Sequence, residues 1–304
     1  MRILIVASGN HKQVAPFVVE QAEALRKEGN TVDLFLVKGH GIVGYLGNLK
    51  TLKAVMRQFN PDIIHAHYGL SGLLCTLQKK VPVVVTYHGS DLNSRYTRPL
   101  CQLAMRRAAY NIFVNAALQE KSHLTSQKSM VLPCGIDLNL FAPASHVNAR
   151  QQLGLNPNGR YVLFTGAFKN KVKNAPLAKA ACSLVPNTEL LELCNRSRQE
   201  VALLMNAANV LLVTSLHEGS PQVVKEALAC NLPVVSVDVG DIATMLHSTQ
   251  GGIISLPTPQ DLASKIMPFL DSMQRTHARE YMNTFDNAHI ASQICSIYKN
   301  IVHE

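Results

Sequence analysis

Cysteine pairing, long apolar runs and aromatic residues are what this sequence has least of. Its seven cysteines (75, 101, 134, 182, 194, 230 and 295) are scattered and odd in number, with no C-x-x-C. That argues against a zinc cluster and a disulfide framework and fits a reducing cytoplasm. No stretch of about 18 apolar residues runs without a charge or proline, so no transmembrane segment is expected. The opening run, Met1 to Ser8, turns polar at Gly9-Asn10-His11, too soon for the apolar region of a signal peptide, and reads as a buried first strand. Aromatic residues are 6% of the chain, and it has no helix-turn-helix signature, RNP-like aromatic strand or zinc-finger spacing. Nucleic acid is therefore not an expected partner. No D-x-D stands in a strand-end loop, so a metal-bridged diphosphate is not implied. The loop Ala7-Ser8-Gly9-Asn10 is not the G-x-G-x-x-G that a dinucleotide-binding oxidoreductase needs for close pyrophosphate approach.

What is present is enough for two cores. At 304 residues, 47% hydrophobic and 16% charged, the chain suits two domains of about 150 residues each. The net charge of +9 is one-sided: residues 1–150 hold 17 Lys+Arg against 8 Asp+Glu, and residues 151–304 hold 12 against 12. Such a half attracts an anionic membrane or an anionic substrate through the same long-range field, and an ordinary solubilising surface explains it equally. Arg95, Arg98, Arg106, Arg107, Lys50, Lys53 and Arg57 lie around predicted helices that also carry Leu46, Leu49, Leu52, Val55 and Met56. A basic, apolar-edged face of this kind suits peripheral docking on the inner face of the cytoplasmic membrane; a core-facing stripe with a charged outer face is the alternative.

Apolar strand-like runs alternate with helix-period segments throughout, the pattern of parallel sheets flanked by helices. In the first half the strands are expected at Ile3–Ala7, Val32–Val37, Ile63–Ala66, Val83–Tyr87, Asn111–Val114 and Met130–Leu132, with a helix from Ala15 to Lys27 that Gly29 ends. Asp137 to Pro157 has no sustained period and reads as the linker. Strands follow at 161–165, 189–193, 209–214, 234–237 and 252–255, and an amphipathic helix closes the chain. The expected domains are 1–145 and 155–286, both doubly wound, with a helix at 287–304 crossing back to the first. Ligands bind at the carboxyl ends of such strands, so two domains facing each other place a shared site in the cleft.

The most informative segment runs from Thr214 to Ala229, after a strand and into a helix. Ser220 is the expected N-cap and Pro221 suits the first turn. The amides around Ser220, Gln222 and Val223, with Gly219 permitting close approach, make an anion site suited to a diphosphate. Glu218 in the loop and Glu226 about two turns on present two carboxylates that each accept paired hydroxyl hydrogen bonds. A capped helix with solvated glutamates is the plain alternative.

This string, Glu218-Gly219-Ser220-Pro221 through Glu226-Ala227-Leu228-Ala229, resembles the E-x7-E signature of retaining glycosyltransferase family 4. Pro61 to Gly72, Thr86 to Asp91, Leu132 to Pro143 and Pro233 to Asp241 are similar to further motifs of that family, so the likeness covers nearly the whole chain. It implies a GT-B fold, with an acceptor domain first and a nucleotide-sugar domain second. By the resemblance, Glu218 contacts the transferred sugar, Glu226 contacts the ribose, and Lys173 meets the leaving diphosphate. His88 after the fourth strand orients the sugar. His67 at the end of the third strand, with Gly9 and Asn10 after the first, belongs to the acceptor side or cleft. Gly166 opens the loop Gly166 to Asn174, where Ala167 departs from an arginine common in the family; Lys169 or Lys171 compensates, or the leaving group is held differently. Arg196 and Arg198, after the strand ending at Leu193, read as solvated helix-start residues, with a position facing the nucleotide as the alternative.

The implied activity is transfer of a sugar from a nucleoside diphosphate sugar to a hydroxyl of a glycan or lipid-linked acceptor, with retention, in cell-surface polysaccharide or glycolipid synthesis, without cofactor or metal. Two rivals share the architecture: a nucleotide-sugar epimerase, which needs no acceptor, and a non-catalytic nucleotide- or carbohydrate-binding protein.

Overall fold

Six apolar runs of the first half become one parallel sheet and five of the second half another, in a computed structural model that describes residues 1–10, 14–93, 97–124 and 128–303. Two compact units result, Met1–Gly135 with Phe285–Glu304, and Ile136–Thr284.

The first unit runs β1 (Arg2–Ser8), α1 (Pro16–Lys27), β2 (Thr31–Val37), α2 (Gly41–Leu46), α3 (Leu49–Phe59), β3 (Ile63–His67), α4 (Gly69–Thr76), β4 (Val83–Tyr87), α5 (Ser90–Asn93), α6 (Arg98–Arg107), β5 (Tyr110–Phe113), α7 (Ala116–Ser122) and β6 (Ser129–Val131). Its sheet order is β2-β1-β3-β4-β5-β6, every neighbour parallel. β3 and β4 are buried along their whole length, which is why they read as unbroken apolar runs. One face packs Leu52, Met56, Leu74, Cys101 and Met105 from α3, α4 and α6. Gly69 and Gly72 are required there: a Cβ would stand 2.2 Å from Cys101 Sγ and 2.7 Å from a Val85 methyl, respectively.

The second unit runs α8 (His146–Gln152), β7 (Arg160–Phe164), a 3-10 turn (Lys171–Lys173), α9 (Ala175–Ser183), β8 (Thr188–Glu192), α10 (Arg198–Ala207), β9 (Val210–Val213), α11 (Gln222–Ala229), β10 (Val234–Val237), α12 (Ile242–Thr249), β11 (Gly252–Ser255) and α13 (Pro259–Ser272). Its order, β11-β10-β9-β7-β8, is again fully parallel. α14 (Asn287–His303) belongs to the first unit, where Ile290, Ile294 and Tyr298 join Val18, Ala22 and Leu25 of α1 on the other face of the sheet.

The linker needs correction. The chain changes units at Gly135, and 137–157 is packed second-unit structure that includes α8. Arg150 there is 1% exposed, donating to the Ala207 carbonyl at 2.9 Å and to Asn209 Oδ1 at 3.0 Å, with its guanidinium 5.1 Å from the Tyr161 ring centre. A buried arginine satisfied by carbonyls leaves no apolar period to read. Among the described residues no helix is long and apolar enough to cross a membrane, and all seven cysteines are free.

Candidate functional site

Each sheet reverses its strand order beside its first strand, at β1/β3 and at β7/β9. The crevice outside the carboxyl ends at such a reversal is where doubly wound sheets bind ligands.

In the second unit the loops after β7 and β9 meet at that point. Thr214, 1% exposed, donates its hydroxyl to the carbonyls of Lys173 (2.9 Å) and Asn174 (3.1 Å), and the Leu216 amide donates to the Val172 carbonyl (2.8 Å). These bonds hold Lys173 Nζ 2.7 Å from Glu218 Oε1, with both side chains largely buried. Gly166 lies against the lysine stem, where a Cβ would make ordinary contact at 3.5 Å. On α11, Glu226 is 3% exposed and its Oε1 lies 2.6 Å from Arg198 Nη2. The Arg198 guanidinium sits 4.6 Å from the Phe141 ring centre. Arg196 is a surface residue, paired with Glu200 at 3.3 Å, but Arg198 is not the solvated helix-start residue its sequence position suggests.

Ser220 is also corrected. α11 begins at Gln222 with Pro221 in the N-cap position and no capping side-chain bond, because the extended proline (ψ 120°) delays the first turn by one residue. Gln222 and Val223 supply its first amides, for which a helix has no internal acceptors. The Ser220 hydroxyl is buried, beside Asp241. Burial raises that carboxyl above its usual range, while the Ser220 hydroxyl and the Lys225 charge act the other way. Gly240, at φ +63°, closes the back of the loop: a Cβ there would meet the Gly219 carbonyl oxygen at 2.5 Å and Glu218 Cβ at 3.2 Å. Lys169 and Lys171 are exposed, and Ala167 is half-buried. Among the described residues, Lys173 and Arg198 make the ion pairs to the two glutamates.

In the first unit, three histidines form a row. His65 accepts at Nδ1 from Tyr298 O–H (2.5 Å) and Gln21 Nε2–H (3.2 Å), so its proton sits on Nε2 and is donated to Thr86 Oγ1 at 2.7 Å. His67 stacks on it with ring centres 5.0 Å apart and shares a 3.1 Å hydrogen bond from Nδ1 to His88 Nε2. His88 is half-buried, packed against Tyr68 (4.5 Å) and Phe17 (4.7 Å), with Cys134 Sγ 3.7 Å from its Nδ1. His67 does not reach an open strand end as expected. It is 0% exposed, enclosed between its two neighbours, and burial lowers its pKa to about 3. Its place is behind His88. Asn10 is likewise engaged: its amide donates to the Gly39 carbonyl (2.7 Å) and its oxygen accepts from the Gly39 amide (2.8 Å), tying the loops after β1 and β2. Gly9 keeps that loop close, since a Cβ would lie 2.9 Å from Leu36 Cβ.

Sequence reasoning missed Tyr68 and Asp91. Tyr68 holds φ +72° at the end of β3, and no tyrosine announces that conformation. Asp91, 7% exposed, accepts from the Gly69 amide (3.1 Å) and the Gly89 amide (2.9 Å), so it fixes both strand-end loops. Ser8, Tyr45, Tyr68 and Asp91 line part of a cavity of about 360 Å³ beside the histidine row. A Gly-x-Gly-x-x-Gly string stands after β2, at residues 39–44, but it builds a tight corner: the Gly39 amide is taken by Asn10, and a Cβ on Gly44 would lie 2.6 Å from the Gly39 carbonyl carbon. Among the described residues no three His, Cys, Asp or Glu stand where they could hold a metal ion.

The sequence matches the family described as Glycosyltransferase Family 4 over residues 36–140 and that described as Glycosyl transferases group 1 over residues 161–272. It is 28% identical over 250 residues to TuaC of Bacillus subtilis (strain 168), a glycosyltransferase assigned to teichuronic acid biosynthesis. That alignment takes in 72% of this chain and 63% of TuaC, so the chain spans less than two thirds of that relative's length. The fold is that of sucrose-phosphate synthase from Thermosynechococcus elongatus (TM-score 0.84, 21% identity, 99% of both chains). It is also that of Anabaena HepE solved in complex with UDP-glucose (TM-score 0.77, 18% identity, 99% of this chain and 100% of that one). Both sheets thus belong to a GT-B fold, and with the two family matches lying on either side of the change of units, this chain belongs to glycosyltransferase family 4.

Proposed function

We propose that this protein transfers a sugar from a nucleoside diphosphate sugar to a hydroxyl of a glycan or lipid-linked acceptor, with retention of configuration, in cell-surface polysaccharide or glycolipid synthesis. The observation that carries this reading is the pairing of Lys173 with Glu218 at 2.7 Å, at the β7/β9 reversal and at the foot of α11. A fixed cation, the first amides of a helix and a carboxylate in one place are what a sugar diphosphate requires. Lys173 and the amides of Gln222 and Val223 take the diphosphate, and Glu218 orients the sugar. Glu226 takes the ribose hydroxyls. Arg198, already on Glu226, supplies the second cation that Ala167 cannot, a role given above to Lys169 or Lys171. The reaction on this reading needs no metal, because these groups meet the charge of the leaving diphosphate.

Family membership supports retention, and HepE, solved with UDP-glucose, makes UDP-glucose the first donor to test. TuaC's assignment to an anionic polymer, with the basic first half, favours an anionic acceptor. His88 reaches a sugar hydroxyl by turning one ring nitrogen from His67 or Cys134.

A panel of nucleoside diphosphate sugars, read by thermal shift, names the donor, since a ligand at 100 times its dissociation constant adds about 2.7 kcal/mol. Turnover is then measured with chelator present. Glu218→Gln is expected to lower kcat by about 10²-fold or more, in line with loss of one preorganised charged contact, and Glu226→Gln to raise the donor KM. Turnover unaffected by Glu218→Gln would remove this assignment, and an epimerised donor formed without acceptor would establish the epimerase instead.

A further inference from the structure

Between Asp33 and Asp62 the chain has no acidic residue, and it carries Lys38, His40, Lys50, Lys53 and Arg57. All five are exposed. On α3, Lys50, Lys53 and Arg57 fall at spacings of three and four, one face of the helix, while Leu52 and Met56 are buried on the other. The apolar residues of α3 are thus core, and the apolar element that meets solvent is α2. None of its residues is buried; Val43 is 85% exposed, Ile42 45% and Leu46 41%. At 100° per residue these three lie within about 100° of one another on the helix; Tyr45 falls outside that arc, about 60° beyond Ile42, packed on the core and lining the cavity that holds Ser8, Tyr68 and Asp91. Asn48 fixes the corner between the two helices, donating to the carbonyls of Lys38 and Gly44 at 2.7 Å each.

Scattered exposed apolar residues are ordinary, but three on one short helix beside an all-basic helix face are a patch with a chemistry. Apolar side chains that leave water and cations that remain at its edge fit a bilayer with anionic headgroups. We propose that α2 and the outer face of α3 dock this protein on an anionic membrane, Ile42, Val43 and Leu46 entering the headgroup layer and Lys50, Lys53 and Arg57 lying on the lipid phosphates. Tyr45 then presents the cavity wall to a lipid-linked acceptor at the same surface. The purpose of the docking rests on the acceptor reading above; the docking itself does not.

The test is flotation of the full chain, without donor, on vesicles of phosphatidylcholine alone and of phosphatidylcholine mixed with phosphatidylglycerol. Binding is expected on the mixed vesicles only. Lys50→Gln/Lys53→Gln/Arg57→Gln is expected to weaken it about a hundredfold, at about 1 kcal/mol for each charge near the surface. Ile42→Ser/Val43→Ser is expected to abolish co-flotation while leaving the melting temperature and donor-stimulated shift unchanged. Equal binding to both vesicle types, binding indifferent to Ile42→Ser/Val43→Ser, or no binding at all would overturn the proposal. So would a dimer, seen by light scattering, that these serines dissociate in a chain that ignores vesicles. Docking with no sugar transfer would leave the proposal standing and remove the proposed activity.

Discussion

His67 offers no exposed atom to a substrate, yet its ring sets where His88 stands. Burial lowers His67 to about 3 and takes His65 well below 6.5, with the His67 charge adding to the effect on His65. Both rings are neutral in the folded chain at neutral pH, whereas in the unfolded chain each takes up a proton near 6.5. The unfolded state therefore binds more protons as pH falls below that value, and stability declines by up to about 1.4 kcal/mol per pH unit for each ring until the folded pKa is reached. The urea midpoint should fall between about pH 6.5 and pH 5, and His67→Gln, which cannot titrate, should flatten that fall. A slope unchanged in the variant would contradict the buried neutral ring. At this scale the placing of Glu218 and Lys173 after strands and of Glu226 on a helix was legible because local strings carry them. The Arg198–Glu226 pair and Tyr68 were not, since one joins residues 28 apart and the other depends on a backbone angle.

The loop after β10 places Gly240 against the Glu218 loop, and this contact between elements is where Glu218 is most easily displaced. Gly240→Ala puts a methyl group on a φ of +63° and 2.5 Å from the Gly219 carbonyl oxygen. The left-handed conformation alone costs about 1–2 kcal/mol, and the clash moves Glu218 from Lys173. The expected outcome is a lowered melting temperature with kcat down about tenfold or more, displacement at a reacting site being costly; an unchanged kcat in a folded variant would show that the loop does not position Glu218. Strands were the most legible elements. β3, expected at 63–66, is Ile63–His67, and β10, expected at 234–237, is Val234–Val237, because fully buried parallel strands are written as continuous apolar runs. α8 was illegible for the opposite reason: its anchor is a charged side chain whose partners lie on Ala207 and Asn209, and composition alone reads Arg150 as surface.

Over the whole molecule, charge and chain connectivity are divided unevenly between the two units. Tyr298 reaches His65 from the last helix, so Tyr298→Phe should cost about 0.5–1.5 kcal/mol by removing one hydrogen bond, Gln21 remaining as donor to the same ring nitrogen. Hydrogen exchange should show the loss in β1 and β3 and leave β7 and β9 unchanged. The first unit holds 17 Lys+Arg against 9 Asp+Glu, and the second 12 against 11. A field spread over exposed side chains is screened by salt, whereas the Lys173–Glu218 pair, with side chains 18% and 13% exposed, is screened far less. If the first unit recruits an anionic acceptor, raising salt from about 0.1 M to 1 M, which shortens the screening length from about 10 Å to 3 Å, should raise the acceptor KM severalfold while the donor KM changes little. Parallel changes in both constants would mean that the positive charge of the first unit acts on the donor, and the acceptor would then have to be recognised by uncharged groups such as Tyr45 and Tyr68.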